Sequence, residues 1–453
     1  MKNLHIYNTL SRKKELFKPI NRPKVAMYVC GVTVYDDCHL GHARAYVAFD
    51  TMRRILEHAG YQVTYVQNFT DIDDKIITRC IKEKRELTEL TETYIQSFHE
   101  DMAQLNIQKA NHYPKATEHI SDIITMIDTL ISKKAAYVCE GDVYFETQSA
   151  ADYGKLSKKV LEDLEAGARV EIGDKKKNPL DFVLWKAAKP QEPSWESPWG
   201  KGRPGWHIEC SAMAKQLLGD SIDIHAGGED LIFPHHENEI AQSECANGAC
   251  FSRYWVHNGF VNLNNSKMAK STKNFIRLKQ CLRDYSGEVL RFYLLKTHYR
   301  HPLNFSKEGL DEAKQAYGRL QQTLENSEIS PKVDSKNKDI FRSLEEKFNT
   351  VIRDDFNAAA GIGVLFEMNK TCNQQKCGTE LIKRCGQRLG LFEVSRTQKN
   401  IPEAAQTLIQ AREEARKNKD YASADRFRQQ LRDEFGLEIK DGRDGVRVNN
   451  CQN

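Results

Sequence analysis

The arrangement that most constrains this chain is an apolar run, Val25 to Val29, followed by His39-Leu40-Gly41-His42 and then by a long helical pattern. Ala45, Ala48, Phe49, Met52, Ile55, Leu56 and Ala59 recur at the helical period, and Gly60 supplies a stop. A strand feeding a helix through a tight polar turn is the opening unit of a parallel α/β sheet. It places both histidines at a helix N-terminus, where their spacing sets them on one face of the first turn. Free N–H groups and the helix dipole favour phosphate there, and Gly41 lets it approach the backbone.

Far downstream, Lys267-Met268-Ala269-Lys270-Ser271 sits in a polar stretch, Asn262 to Asn274, rich in Asn, Ser and Thr. Such a loop could close over a triphosphate, its two lysines offsetting the charge that builds up as pyrophosphate leaves. Either motif alone is weak, because a histidine pair can simply cap a helix. Order and context join them as two halves of one ATP site made by His39, Gly41, His42, Lys267 and Lys270.

Strands and helices alternate from Val25 to about Gln108, with Tyr61 to Gln67 a second strand and Ile72 to Lys84 a second helix. Between residues 115 and 200 the texture changes. A helix, a strand-like Val143-Tyr144-Phe145, a charged stretch from Lys155 to Asn178 and Pro190, Pro193 and Pro198 read as an insertion. Its lysines could touch nucleic acid or form a solvated face. Sheet-and-helix character resumes at Trp206 to Leu218, Ile222 to His225 and a helix near Pro234, ending around Val261. Residues 1–114 and 201–261 are thus one Rossmann-like parallel-sheet domain split by an insertion at 115–200.

Residues 262–305 contain the lysine loop and a helix, Lys279 to Lys296. Residues 306–395 are helical, through Lys307 to Asn326 and Ile340 to Leu391, interrupted by a polar linker at Pro331 to Asn337. In 396–453, Ala404, Leu408, Ala411 and Ala415 face Ala424, Phe427 and Leu431 across a helical hairpin, before a short Gly-rich end.

The 453 residues carry 67 Lys and Arg against 63 Asp and Glu, so the net +4 does not advertise nucleic-acid binding, and any RNA contact is a local patch. Twelve cysteines without regular spacing, and an N-terminus lacking a signal-like apolar stretch, imply a reducing cytoplasm. No apolar run is long enough to span a membrane.

In that compartment, Cys near His and carboxylates suggests metal or catalysis. His235 and Glu239 are one helical turn apart in Pro234-His235-His236-Glu237-Asn238-Glu239 and can share an ion if the stretch is helical. Cys210, on a helix opened by Pro204-Gly205, and Cys30, at the end of the first strand, are plausible thiolates. Two Cys, one His and one Glu would make a tetrahedral zinc site. The competing reading has the histidines stabilising a helix and both cysteines as small buried hydrophobes.

Taken together, HLGH, KMAKS, Tyr28 to Tyr35, Asn68 to Ile76, Pro204 to Met213, Gly227 to Glu239 and Thr297 to Arg300 resemble the class I aminoacyl-tRNA synthetases, specifically the cysteinyl-tRNA synthetases. The resemblance spans nearly the whole length. It implies one zinc ion on Cys30, Cys210, His235 and Glu239 that binds the thiolate of L-cysteine directly. Shape alone separates serine from cysteine by roughly 1 to 3 kcal/mol, whereas zinc takes a thiolate and an alcohol resists ionisation.

The resemblance further implies that Trp206 and His225 line the amino-acid pocket, Thr70 holds backbone groups of the substrate and Asp230 faces its ammonium. Each has a bland alternative: plain core, buried structural histidine, helix cap and turn former. ATP with Mg2+ and tRNA(Cys) are the implied partners. Residues 262–305 become a stem-contact region, 306–395 an anticodon-binding bundle and 396–453 an anticodon-recognition domain, in a chain acting as a monomer. Ala269 replaces the usual serine of the signature loop, Thr272-Lys273-Asn274 the usual leucine-glycine-asparagine, and Leu40 an isoleucine.

Two other readings compete. A ligase delivering cysteine to a small amine would have no use for the helical C-terminal third. A regulatory protein that has lost catalysis should have damaged motif or metal positions, and here all stand.

Overall fold

Four parallel strands carry the site: β1 (Lys24–Thr33), β2 (Gln62–Thr70), β3 (Ile222–Gly228) and β4 (Ser252–Asn258), in the order β4-β3-β1-β2. Alternate residues of β1 serve opposite faces. Val25, Met27 and Val29 enter one apolar cluster with helix α1 (Leu40–His58), while Tyr28 and Cys30 enter another. That second cluster includes Cys210 and Met213 of α2 (Trp206–Leu218) and Ile240 of α3 (Glu237–Asn247). Burial on both faces explains why β1 reads as a continuous apolar run. Strand order reverses between β1 and β3, and the carboxyl ends of strands at such a switch point are where α/β sheets bind ligands.

The computed structural model describes residues 3–159, 175–190, 192–263, 266–267, 275–393, 403–418, 420–435, 437–442 and 445–450. Between β2 and α2, the helix Ile120–Ser132 packs against a four-stranded antiparallel sheet, Ala136–Cys139, Asp142–Phe145, Phe182–Ala187 and Gly202–Pro204. This unit has its own core, including Ile123, Ile127, Phe145, Leu184 and Trp185. Three of its strands escape a sequence reading because they are short and set among charges and prolines.

A second such omission lies after β4. The strands Val261–Leu263, Ser266–Lys267 and Leu303–Phe305 form a small sheet at the root of the lysine loop. The helix expected over Lys279 to Lys296 is two, Leu278–Asp284 and Gly287–Leu295, because the Ser286 side chain caps a fresh start by accepting from Val289 N–H. Ile340 to Leu391 likewise divides into Lys338–Arg353, Ala358–Gln375 and Thr379–Gln387, after the helix Lys307–Glu325.

The expected tail hairpin is Glu403–Lys417 with Tyr421–Phe435, but the Gly-rich end is a β-hairpin, Leu437–Gly442 with Gly445–Asn450. Another hairpin, His5–Asn8 with Lys13–Leu16, precedes the main sheet. Among the described residues no helix is long and apolar enough to cross a membrane.

Candidate active site and metal cluster

At the reversal point, β1 carries an irregularity between Val29 and Val32 in its pairing with β2. Bulges of this kind re-aim a side chain, and here Cys30 turns toward α2 and α3. Cys30, Cys210, His235 and Glu239 are all buried, with one ligand atom from each within 4.8 Å of the others. His235 Nε2 lies 3.0 Å from Glu239 Oε1, and Cys30 Sγ lies 3.6 Å from the same oxygen. The stretch before α3 is wound as the irregular turn Ile232–His236 rather than α-helix, yet it still delivers His235 to Glu239.

The electrostatics of the cluster are compatible with a cation. Hydrogen bonding with Cys30 outweighs burial and drives the Cys210 thiol down to about 6, while burial pushes Cys30 well up. Burial works against an ionised Glu239 and a protonated His235, but their mutual attraction and the neighbouring His225 and Cys210 prevail. Glu239 falls to about 2 and His235 rises to about 10. Cys210 and Glu239 are thus biased toward their anionic forms and His235 toward its cationic form, and a metal ion would supply that positive charge in place of the proton. Two sulfurs, one imidazole and one carboxylate fit a tetrahedral ion of borderline softness.

Residues not anticipated surround this set. His207 Nδ1 and His235 Nδ1 are 2.9 Å apart, which commits one nitrogen of His235 to its neighbour and leaves Nε2 for the cluster. His236 Nε2 lies 3.3 Å from Cys30 Sγ and its Nδ1 lies 2.8 Å from His257 Nε2. Cys30, His225, His236 and Glu239 form an alternative ligand group, its ligand atoms likewise within 4.8 Å of one another. A usable signal existed: five of the 14 histidines fall between 207 and 257.

The remaining pocket candidates are distributed as follows. His225 is buried, stacks on Trp255 with ring centroids 4.5 Å apart, and sets Nε2 2.8 Å from Glu239 Oε2. Trp206 is 40% exposed and stacks on His235 at 4.2 Å, so it is not plain core. Thr70 is buried and donates to Glu209 Oε2 at 3.0 Å; the cap of the following helix is instead Asp73. Asp230 is exposed in the short turn Glu229–Leu231 after β3.

In the other motif, His39 is the N-cap of α1. Its Nδ1 accepts from His42 N–H and His42 Nδ1 accepts from His39 N–H, both at 3.3 Å. With Nδ1 accepting, each neutral ring carries its proton on Nε2, and the rings stack 3.7 Å apart. A side chain at Gly41 would meet the His39 ring at 2.9 Å, so glycine keeps the pair in place. The loop root is zipped to this turn by Leu40 N–H to Ile276 O, 3.0 Å, and Leu278 N–H to Cys38 O, 2.9 Å. Lys267 pairs through its backbone with Asn262. The side chain of Lys267, and Ala269, Lys270 and Thr272 to Asn274, lie outside the described residues.

Known proteins share this chain's sequence and fold. The family described as the class I (C) tRNA synthetase catalytic domain matches residues 16–315, a DALR domain matches 347–393, and a cysteinyl-tRNA ligase anticodon-binding domain matches 398–448. A cysteine–tRNA ligase of Caldicellulosiruptor saccharolyticus is 47% identical, covering 98% of this chain and 99% of its own. One from Hydrogenovibrio crunogenus is 49% identical, covering 98% of both chains. In fold, a methionyl-tRNA synthetase of Mycobacterium tuberculosis matches with a TM-score of 0.58 at 13% identity, covering 81% of this chain and 89% of that one. With two thirds of its length matching a synthetase catalytic domain and close relatives spanning nearly all of it, the chain belongs to the cysteine–tRNA ligases of class I.

Proposed function

We propose that this chain joins L-cysteine to tRNA(Cys) at the crevice between β1 and β3. The cysteine carboxylate attacks the α-phosphorus of ATP, the bond to pyrophosphate breaks, and cysteinyl-adenylate forms. The terminal ribose hydroxyl of tRNA then takes the acyl group and AMP leaves. No protein nucleophile is required, so the residues act by positioning and charge.

His39 and His42 present Nε2–H donors to phosphate, Gly41 leaves room for it, and Lys267 and Lys270 offset the charge of departing pyrophosphate with Mg2+ on the nucleotide. Cys30, Cys210, His235 and Glu239 would hold Zn2+, which when bound supplies a Lewis acid selective for a thiolate over an alcohol. His225 orients Glu239, His207 orients His235, Trp206 covers the pocket, and Thr70 and Asp230 hold the substrate's backbone groups. The observation that carries this reading is the buried two-thiol cluster at the point where the strand order reverses.

Cysteine-dependent exchange of pyrophosphate into ATP tests it. Exchange should require cysteine, ignore serine, and disappear on chelation with recovery on added Zn2+; exchange that survives metal removal sinks the zinc assignment. The same reading has the protein act as a cytoplasmic monomer, which sedimentation at 52.0 kDa would check for the assembly state.

A further inference from the structure

Asn68 lies on β2 with a fully buried side chain. Its Oδ1 accepts from Gly31 N–H at 2.8 Å, whereas its Nδ2 has no hydrogen-bond partner among the described residues. Buried amide donors are rarely left so, and an unpaired one carries a desolvation cost that calls for a reason. Flipping the amide would set its NH2 group against the Gly31 N–H, two donors face to face, so the orientation is decided by the network.

The position is as rigid as the orientation. A side-chain carbon at Gly31 would fall 1.5 Å from the Asn68 carbonyl oxygen, so the two backbones touch at the irregularity beside Cys30. Cys210 Sγ lies 3.8 Å from Asn68 Oδ1 on the other side. Asn68 Oδ1 therefore sits between the residue after one thiol of the cluster and the second thiol, and the orphan donor belongs to the same amide at the border of the cluster.

An ammonium brings only donors and cannot satisfy Nδ2. A carboxylate must point toward ATP to be activated, away from the cluster. What reaches the cluster end of the pocket is the tip of the substrate side chain, and an anionic sulfur there is a charge-assisted acceptor. We propose that Asn68 Nδ2 donates a hydrogen bond to the sulfur of bound cysteine, making Asn68 a further specificity-determining residue. This rests on the reading above that cysteine enters the cluster sulfur first. The hydrogen bond adds to selection of the thiolate because a neutral alcohol gains less from the same donor.

The test is equilibrium binding to the zinc-loaded protein, by titration calorimetry without ATP. The probes are cysteine, cysteamine, which lacks the carboxylate, and 3-mercaptopropionate, which lacks the ammonium. Asn68→Asp keeps an oxygen for Gly31 N–H and removes the donor. All three thiols should bind about 10-fold or more weakly, with zinc content and the KM for ATP unchanged. Because the new carboxylate would also repel an anionic sulfur, the neutral Asn68→Ala is measured beside it, and cysteamine is decisive there, since its loss can come neither from added charge nor from a missing contact to a carboxylate.

Unchanged cysteamine binding, or a loss confined to the two carboxylate-bearing ligands, would overturn the proposal in favour of a donor to the carboxylate. A loss in Asn68→Asp that Asn68→Ala does not share would be charge repulsion and would overturn the proposal; should Asn68→Asp lose zinc, Asn68→Ala carries the comparison alone. A wild-type protein that binds none of the thiols sinks the underlying reading and this inference with it; wild-type binding with no loss in the variant sinks the inference alone.

Discussion

Asp101 lies on the helix Leu87–Gln104 with both carboxylate oxygens buried and without a hydrogen-bond partner among the described residues. Burial pushes its pKa up to about 6; Lys279 opposes this, and Asp37 and Glu100 reinforce it. A folded value above the ordinary 3.8 means that folding disfavours the charged form. The stability involved is full below about pH 4 and lost as pH rises through about 6. Asp101→Asn is expected to raise stability at pH 7.5 by about 1 kcal/mol, allowing for screening, with the gain shrinking as pH falls toward 4. Urea midpoints at the two pH values check this, and a gain independent of pH would point to another cause. Nothing local marks this aspartate in the sequence, because its isolation is set by which helices close over it.

The start of α1 serves two ends at once. His39 caps the helix and, in the function proposed above, also presents a ring nitrogen to phosphate, so a loss of activity in His39→Ala alone could come from either role. Asparagine is among the best N-caps. His39→Asn should therefore melt as the wild type does, whereas His39→Ala should cost about 1 kcal/mol of stability. Both should slow adenylate formation by about 10²-fold through loss of one donor. Melting curves beside pyrophosphate exchange separate the roles, and full exchange by His39→Asn would reduce the histidine to a cap. At this scale, legibility followed length and period. Long amphipathic helices and the buried parallel strands declare themselves through many residues, but the two-residue strand Ser266–Lys267 and the three-residue strands Val261–Leu263 and Gly202–Pro204 have too few to establish a pattern.

Across the molecule, one guanidinium fastens the sheet domain to the helices that follow. Arg291 is fully buried; it donates to Asp50 of α1, to Thr51 Oγ1 at 3.1 Å, to Leu105 O at 2.9 Å and to Leu389 O at 2.7 Å. Gly390, at φ 68°, is required beside it, since a side-chain carbon would fall 2.4 Å from the guanidinium. Removing one partner of a buried ion pair strands the other. Arg291→Met is expected to destabilise the fold by about 3 kcal/mol, and adding Asp50→Asn should recover part of it. Urea unfolding of the single and double variants measures the coupling; simple additivity would show that the pair does not act as a unit. Asp50 and Arg291 stand 241 positions apart, and no sequence pattern pairs them.

Local chemistry was readable from the chain alone. The strand–HLGH–helix unit, the split α/β class, the helical C-terminal third and the resemblance carried by Cys30, Cys210, His235 and Glu239 all rest on residue type and short spacing. Tertiary structure decided what depends on approach between distant segments. It brought Cys30 to Glu239 across 209 positions, and it set His207 against His235 and His236 against His257. It also set the Nδ1 atoms of both signature histidines to accept backbone N–H groups and left the Asn68 amide nitrogen buried without a partner among the described residues. The reason is physical: periodicity is written by neighbours along the chain, whereas tautomer, charge and hydrogen-bond orientation belong to groups that meet only once the sheet has closed and water has been excluded.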